Sequence, residues 1–283
     1  MDWKEVQAVV EEIRQKNKKN AYSLVLDPEK KPSIFDSKFG GLPYWDMGKE
    51  YPKGSNGKNL MLLAQINFGQ MFQEAEKDGL FPDTGMLQFF IALDDMYGMD
   101  SNGQGEQKDF RVVYHESVNC QLDRAQVESL GVPVSTDIEI DEFTPIWAEI
   151  ALKITKQEVS IGEADYRFSK IFREAMQEKY GKQYEGEPLY QILDDETYDK
   201  LIGECSEGGH WLLGYPYFTQ TDPREYEEQY RYYDTMLFQM DSDYGEDGDY
   251  IMWGDSGVAN FFINQEDLKK RDFSKILYNW DCC

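Results

Sequence analysis

Apolar residues in this chain gather in short dense runs that Gly, Pro and acidic residues interrupt. Leu60 to Ile66 (LMLLAQI) and Leu87 to Leu93 (LQFFIAL) are unbroken and of strand length, which predicts strands buried on both faces. Trp147 to Ile161 alternates instead. Ile150, Leu152 and Ile154 face one way and Lys153 and Thr155 the other, as in a half-exposed strand. Two further strands are predicted at RVVYHESV (111–118) and AYSLVL (21–26), the latter stopped by Pro28. Helical spacing puts Trp3, Val6, Val10 and Ile13 on one face, with Asp2 as cap, Glu5 as first-turn carboxylate, and Asn20 with the lysines before it as the end. A second helix is predicted within Gly162 to Tyr180, where Phe168, Ile171, Phe172, Ala175 and Met176 form a stripe and Gly181 is the stop. A short helix is expected around Met71 to Lys77, and acidic turns after the second helix until Gly208. Ser33 to Pro52 is rich in Gly and Pro but carries large aromatics that need burial, so it is a shaped loop and not a linker.

A pattern then recurs. Gly41-Leu42-Pro43-Tyr44-Trp45 matches Gly214-Tyr215-Pro216-Tyr217-Phe218, and Leu62-Leu63-Ala64-Gln65-Ile66-Asn67 matches Met236-Leu237-Phe238-Gln239-Met240-Asp241. Asp83-Thr84-Gly85 precedes Phe89-Phe90-Ile91 by three residues, as Asp255-Ser256-Gly257 precedes Phe261-Phe262-Ile263. Pro43 to Gln65 is 22 positions and Pro216 to Gln239 is 23. Ordered anchors at near-equal spacing imply one ancestral unit present twice, at approximately 39–95 and 212–268. Two copies are too few for a solenoid, so a pseudo-two-fold pair sharing one core is expected. The whole chain, 1–283, reads as a single domain in which 1–32 supplies an N-terminal helix and strand.

The repeat changes how the D-[ST]-G triplets read. G-D-S-G at 254–257 looks like a serine-protease nucleophile and D-T-G at 83–85 like an aspartic-protease loop. A serine nucleophile needs a histidine base and an orienting carboxylate, and His115 and His210 lack a recognisable catalytic context. The aspartic-protease reading fails on the flanking residues, Pro82 and Gly254 before and Met86 and Val258 after. Both triplets are read as turns, with Gly supplying positive φ and Asp and Ser/Thr bonding nearby amides. The segment from Asp100 begins like a calcium loop, but Arg111 stands where a bidentate Glu is required. No zinc spacing and no phosphate-binding glycine loop is present, and no cofactor is expected.

Composition adds three constraints. The 19 Tyr and 16 Phe favour sheets. A net charge of −25 argues against nucleic acid as a partner and permits a basic protein partner. No run approaches the ~18–20 apolar residues of a membrane helix, and the start lacks signal-peptide character, so a cytoplasmic protein with no membrane partner is expected. The four cysteines, Cys120, Cys205, Cys282 and Cys283, show no metal or redox spacing.

Taken together, the anchors above, with Gly85 through Ile91, Leu237 through Asp243, Trp253-Gly254-Asp255-Ser256-Gly257 and Trp280-Asp281-Cys282, resemble the bacterial YwqG-like family, the domain of unknown function numbered 1963. The resemblance spans roughly Ser33 to Cys283. It implies a β-rich α+β roll with peripheral helices in bacterial cytoplasm, and it implies no activity and no catalytic residue. Two functions are therefore carried forward. One is a non-catalytic binding or interaction module, an immunity-type or regulatory partner of a basic protein. The other is a small-ligand binder or enzyme in which Trp45, Gln65, Asn67, Gln239, Asp241, Asp243, Trp253 and Asp255 line a polar pocket between the repeats. Asp241, Asp243, Glu246, Asp247, Asp249 and Asp255 also crowd one region, which a cation would relieve, although a solvated acidic loop explains them as well.

Overall fold

The computed structural model describes residues 2–100, 103–138, 143–205, 208–245 and 248–283. The apolar runs become strands of one ten-stranded sheet. Its first five strands in chain order are β1 (Lys18–Asp27), β2 (Lys38–Phe39), β3 (Met61–Asn67), β4 (Met86–Ile91) and β5 (Phe110–His115). The other five are β6 (Ile150–Ser160), β7 (Trp211–Leu213), β8 (Thr235–Asp241), β11 (Val258–Ile263) and β12 (Leu277–Asp281), while β9 (Asp243–Gly245) and β10 (Gly248–Ile251) form a separate ribbon. The sheet order is β12-β11-β8-β7-β1-β6-β2-β3-β4-β5, with every described pairing antiparallel. Outward from the central β1–β6 pair, each direction meets one short strand and then three longer ones.

The sheet curls so that β3–β5 face β8, β11 and β12 across an aromatic core. Phe89 lies 4.6 Å from Phe238 and 5.1 Å from Phe261, and Phe110 lies 5.1 Å from Tyr278, ring centre to ring centre. β3 and β4 are buried on both faces because their outer sides meet a second cluster containing Leu42, Tyr44, Trp45 and Phe90. The central strands are roofed by helices: α1 (Trp3–Lys16), α4 (Phe168–Tyr180) and α6 (Asp195–Cys205) cover Ala21 and Val159. The smaller helices are α2 (Phe68–Glu74), α3 (Arg124–Glu128), α5 (Leu189–Ile192), α7 (Pro223–Tyr226) and α8 (Gln265–Lys269).

Several expectations shift. Asn17 caps α1, so Lys18 to Asn20 belong to β1 and not to the helix end. Asn67 caps α2 by accepting from Gln70 N, which starts that helix at Phe68 instead of Met71. The stretch read as acidic turns contains α5 and α6, since Thr197, Leu201 and Cys205 give α6 a narrow buried stripe. Gly181 does stop α4 in the left-handed region, φ +66°.

The matched sequence anchors have matched geometry. Each of β3 and β8 carries one register shift at the same distance from its glutamine, around Leu63 and Leu237. The Gln65 side-chain carbonyl accepts from Tyr44 N at 2.8 Å, and Gln239 accepts from Tyr217 N at 2.8 Å. The facing residue on the next strand grips the same loop from its other side: Gln88 donates to Tyr44 O at 2.7 Å and Asn260 to Tyr217 O at 2.8 Å. Both loops begin with two positive φ values, +60° and +74° at Gly40-Gly41 and +62° and +88° at Leu213-Gly214.

The D-[ST]-G turns correspond in the close approach at the glycine, whereas the expected positive φ falls at Gly85 (+99°) in the first turn and at Ser256 (+60°), not Gly257, in the second. An added Cβ at Gly85 would stand 2.4 Å from His115 O, and at Gly257 2.0 Å from Asp281 O. Those carbonyls sit at equivalent register positions on β5 and β12, opposite Met86 and Val258. The expected Asp side-chain bonds to turn amides are not what holds the turns. Asp83 is exposed and pairs with Lys77 at 2.9 Å, and Asp255 is exposed at its turn.

Candidate functional site

The eight side chains singled out in the sequence fall into separate places. In the first half, Trp45 donates to Lys49 O and packs edge-on against Tyr51, Phe90 and His115. Gln65 donates to Ile34 O and Asp36 O, and Asn67 donates to Phe35 O while capping α2. In the second half, Gln239 donates to Gly209 O, Trp253 is buried against Tyr97 and Trp280, and Asp255 is exposed. Asp241 and Asp243 come together around His210. Asp241 N donates to His210 Nδ1 at 3.1 Å, which leaves the neutral ring's proton on Nε2, 3.3 Å from Asp243 Oδ2. Asp241 also accepts from Gly209 N and Ser242 N, and burial raises its carboxyl. Both glutamines and Asn67 are therefore engaged by backbone.

Glu246, Asp247 and the Asp249 side chain lie outside the described residues, as do Ser101 and Asn102 of the calcium-like segment. Among the described residues no group of three His, Cys, Asp or Glu side chains is placed to hold a metal. Ser256 meets the Tyr244 hydroxyl, whereas the histidines face Gln88 and Asp243. The Cys205 thiol is pushed up by burial, which keeps it protonated and weakly nucleophilic.

His115 offers a pH test of the first half. Gln88 donates its amide to Tyr44 O and Gln65 Oε1, so its oxygen accepts from His115 Nε2 at 3.0 Å, and Nδ1 has no partner among the described residues. Burial pulls the imidazole from 6.5 to about 4. The unfolded chain takes up this proton near 6.5 and the folded chain does not until about 4, so stability is full above 6.5 and falls between the two. Urea denaturation from pH 7.5 to 4 should show that His115→Gln loses roughly 3 kcal/mol less than the unmodified protein across that window. Equal losses would mean His115 titrates normally.

The structure gathers its polar chemistry elsewhere. A cleft of about 1000 Å³ opens between α4, α5, Tyr198 of α6 and the 220–231 segment. A smaller cavity of about 230 Å³ shares Glu163, Tyr198 and Gln220 with it and reaches Cys205 and the Pro216-Tyr217 loop. Two Asp-x-Arg turns back the wall, with Tyr166 and Arg167 of the first lining the cleft and Asp165, Asp222 and Arg224 buried behind it. Asp165 accepts from Arg167 N at 3.0 Å and from its guanidinium at 2.7 and 2.5 Å. Asp222, the cap of α7, accepts from Arg224 N at 3.0 Å and from its guanidinium at 2.9 and 2.6 Å. The turns interlock, since Tyr166 N donates to Asp222 and Arg224 lies 3.8 Å from Asp165. Burial opposes the charge on Asp165, but the Arg167 bonds and the Arg224 charge outweigh it and hold this carboxyl below its usual range.

The cleft's other acids behave differently. Burial raises Glu163, which the Tyr198 hydroxyl meets at 2.8 Å, and burial followed by the Asp222 charge raises Glu225. The sequence hides this site because its first segment falls within the stretch read as a helix for its apolar stripe, Gly162 to Tyr180, and its second is an acidic, Tyr-rich loop. The available signal was arginine placement: four of the chain's eight arginines fall between 167 and 231.

A curled antiparallel sheet around an aromatic core, with helices over its centre and a polar cleft beside them, defines a β-rich α+β protein. The chain belongs to the family described as a domain of unknown function, DUF1963, whose model matches residues 37–282. No curated protein matches the chain significantly. Among the described residues no helix is long and apolar enough to cross a membrane.

Proposed function

We propose that the chain is a non-catalytic binding module whose site is the Tyr- and Arg-lined cleft. The observation that carries this reading is the interlocked pair of Asp-x-Arg turns. Burying two carboxylates and a guanidinium is costly, and here it fixes the cleft wall before any ligand arrives, which is how binding sites limit ordering losses. Tyr190 and Tyr226 at the mouth are 61% and 73% exposed, and Tyr and Arg are the side chains enriched where binding energy concentrates. The described Ser, Cys and His side chains discussed above support a non-catalytic role, being engaged in bonding or kept protonated. We further infer that the two halves descend from one duplicated unit. The matched register shifts, amide grips and glycines support this, and the paired glycine substitutions described below test their equivalence.

An NMR fragment screen tests the cleft. Fragments should shift resonances of Tyr166, Tyr190 and Tyr226 before others. Shifts confined to the His210–Asp243 region under small ligands would overturn the reading. Shifts there with basic peptides alone would favour a cationic partner on the acidic exterior, the alternative that the −25 charge supports.

A further inference from the structure

We infer that the cleft recognises an oxyanion carried by a small molecule, a phosphate ester or a carboxylate, through Arg167, Arg173 and Arg231. The inference rests on the cleft being the binding site and names what it binds. All three arginines line the cleft. Each is tied back to the protein on one side. Arg167 uses Nε and Nη2 on Asp165, Arg231 uses Nε on Arg224 O and Nη2 on Glu225 O, and Arg173 uses Nη1 on Glu187 O. Among the described residues, Nη1 of Arg167, Nη1 of Arg231 and Nη2 of Arg173 have no protein acceptor. A guanidinium fixed along one edge with another nitrogen free is pre-oriented for a planar or tetrahedral oxyanion.

The local charge points the same way, against the sign of the whole molecule. Arg167 and Arg224 are balanced by Asp165 and Asp222, and Lys170 stands 3.8 Å from Glu174. Arg173 and Arg231 share the cleft with Glu163 and Glu225, and over all its lining side chains the cleft sets four cations, Arg167, Lys170, Arg173 and Arg231, against three carboxylates, in a chain of net charge −25. Crowding sharpens the point. The guanidiniums of Arg167, Arg224 and Arg231 surround the single ring of Tyr166 at 5.4, 4.9 and 5.8 Å. Of the three, Arg231 alone has no carboxylate at ion-pair distance among the described residues, its bonds going to the Arg224 and Glu225 carbonyls, and an anion at its open nitrogen supplies that partner. The cleft's size suits a small molecule, with Tyr190 and Tyr226 placed to flank its body.

The test titrates the full chain, followed by NMR, with phenyl phosphate, benzoate and neutral benzyl alcohol. At least one oxyanion should bind about tenfold or more tightly than benzyl alcohol, the difference expected of charge-assisted bonds. Arg173→Gln and Arg231→Gln should each remove about tenfold of that affinity and leave benzyl alcohol unchanged, and Arg173→Lys should recover part. Melting temperatures verify folding. If Arg231→Gln does not fold, because Arg231 also braces the α7 turn, the two Arg173 variants carry the test. Tighter phenyl phosphate assigns a phosphoryl group and tighter benzoate a carboxylate. Benzyl alcohol held in the cleft as tightly as both oxyanions overturns the inference and leaves the cleft reading intact. Cleft resonances unmoved by every probe overturn it too, and the fragment screen then shows whether the cleft reading falls with it.

Discussion

Replacing Arg224 with methionine should lower the unfolding free energy by roughly 3–5 kcal/mol, the usual loss when one partner of a buried ion pair is removed. Arg224 is fully buried. Its Nε and Nη2 meet both oxygens of Asp222, Nη1 reaches Tyr233 O at 3.2 Å, and its Cζ lies 4.0 Å from the Phe262 ring centre. Methionine keeps much of the apolar contact with Phe262 and deletes the charge. Asp222, itself buried, then holds an ion against backbone N–H groups alone, and Asp165 loses its second guanidinium. Pairing Arg224→Met with Asp222→Asn removes both charges and should recover a substantial part of the loss. Urea denaturation measures both. A single-variant loss below about 1 kcal/mol would place this pair in the class of surface bridges and remove the argument that the turns stiffen the cleft.

The second large effect separates glycine from aspartate in the two D-[ST]-G turns. Gly257→Ala should cost at least ~3 kcal/mol, because the new methyl would meet backbone on two sides, Asp281 O at 2.0 Å and Trp253 O at 2.6 Å. The backbone has little freedom to retreat. Gly257 O accepts from Ser242 N, and Gly257 N donates to Trp253 O at 2.7 Å. Gly85→Ala should cost a similar amount, since it adds a positive φ of +99° to the approach of His115 O. Asp83→Ala and Asp255→Ala should each stay within about 0.5 kcal/mol, as exposed side chains do. Thermal and urea unfolding of the four variants decides the matter. A severe loss at either aspartate with tolerated alanines at both glycines would reverse the assignment.

The legible parts of the fold were those where a strand or helix meets the core along its whole length. β3 and β4 announce themselves because both faces are covered, so no polar residue interrupts them except the gripping glutamines. β6 shows its exposed side as Lys153 and Thr155, and α1 and α4 show broad apolar stripes. β7 and β12 were missed for opposite reasons. Three residues carry too little pattern, and Leu277–Asp281 mixes Asn and Asp into its burial because both side chains serve neighbouring elements: Asn279 accepts from Gln104 and Asp281 from Thr219. Of the site, the sequence supplied residue types without partners. Gln65 and Gln239 looked like ligand-facing amides, but a buried amide satisfies a buried backbone just as well. The cleft arginines belong to segments more than fifty residues apart, and only the packing of α7 against the start of α4 makes them one wall.

The pairing of β1 has a consequence for how the molecule comes to exist. β1 precedes the first half in the chain, yet its neighbours are β6 and β7, while β6, at the entrance of the second half, also pairs with β2. Each half thus lends its opening strand to the other, like two clasped forearms. As the chain emerges during synthesis, Lys18–Asp27 meets its first described strand partner only when Ile150–Ser160 has been made. Pairings across such long loops form slowly. The same clasp means that neither half can leave the sheet without opening the β1–β6 and β1–β7 or β2–β6 pairings at its centre.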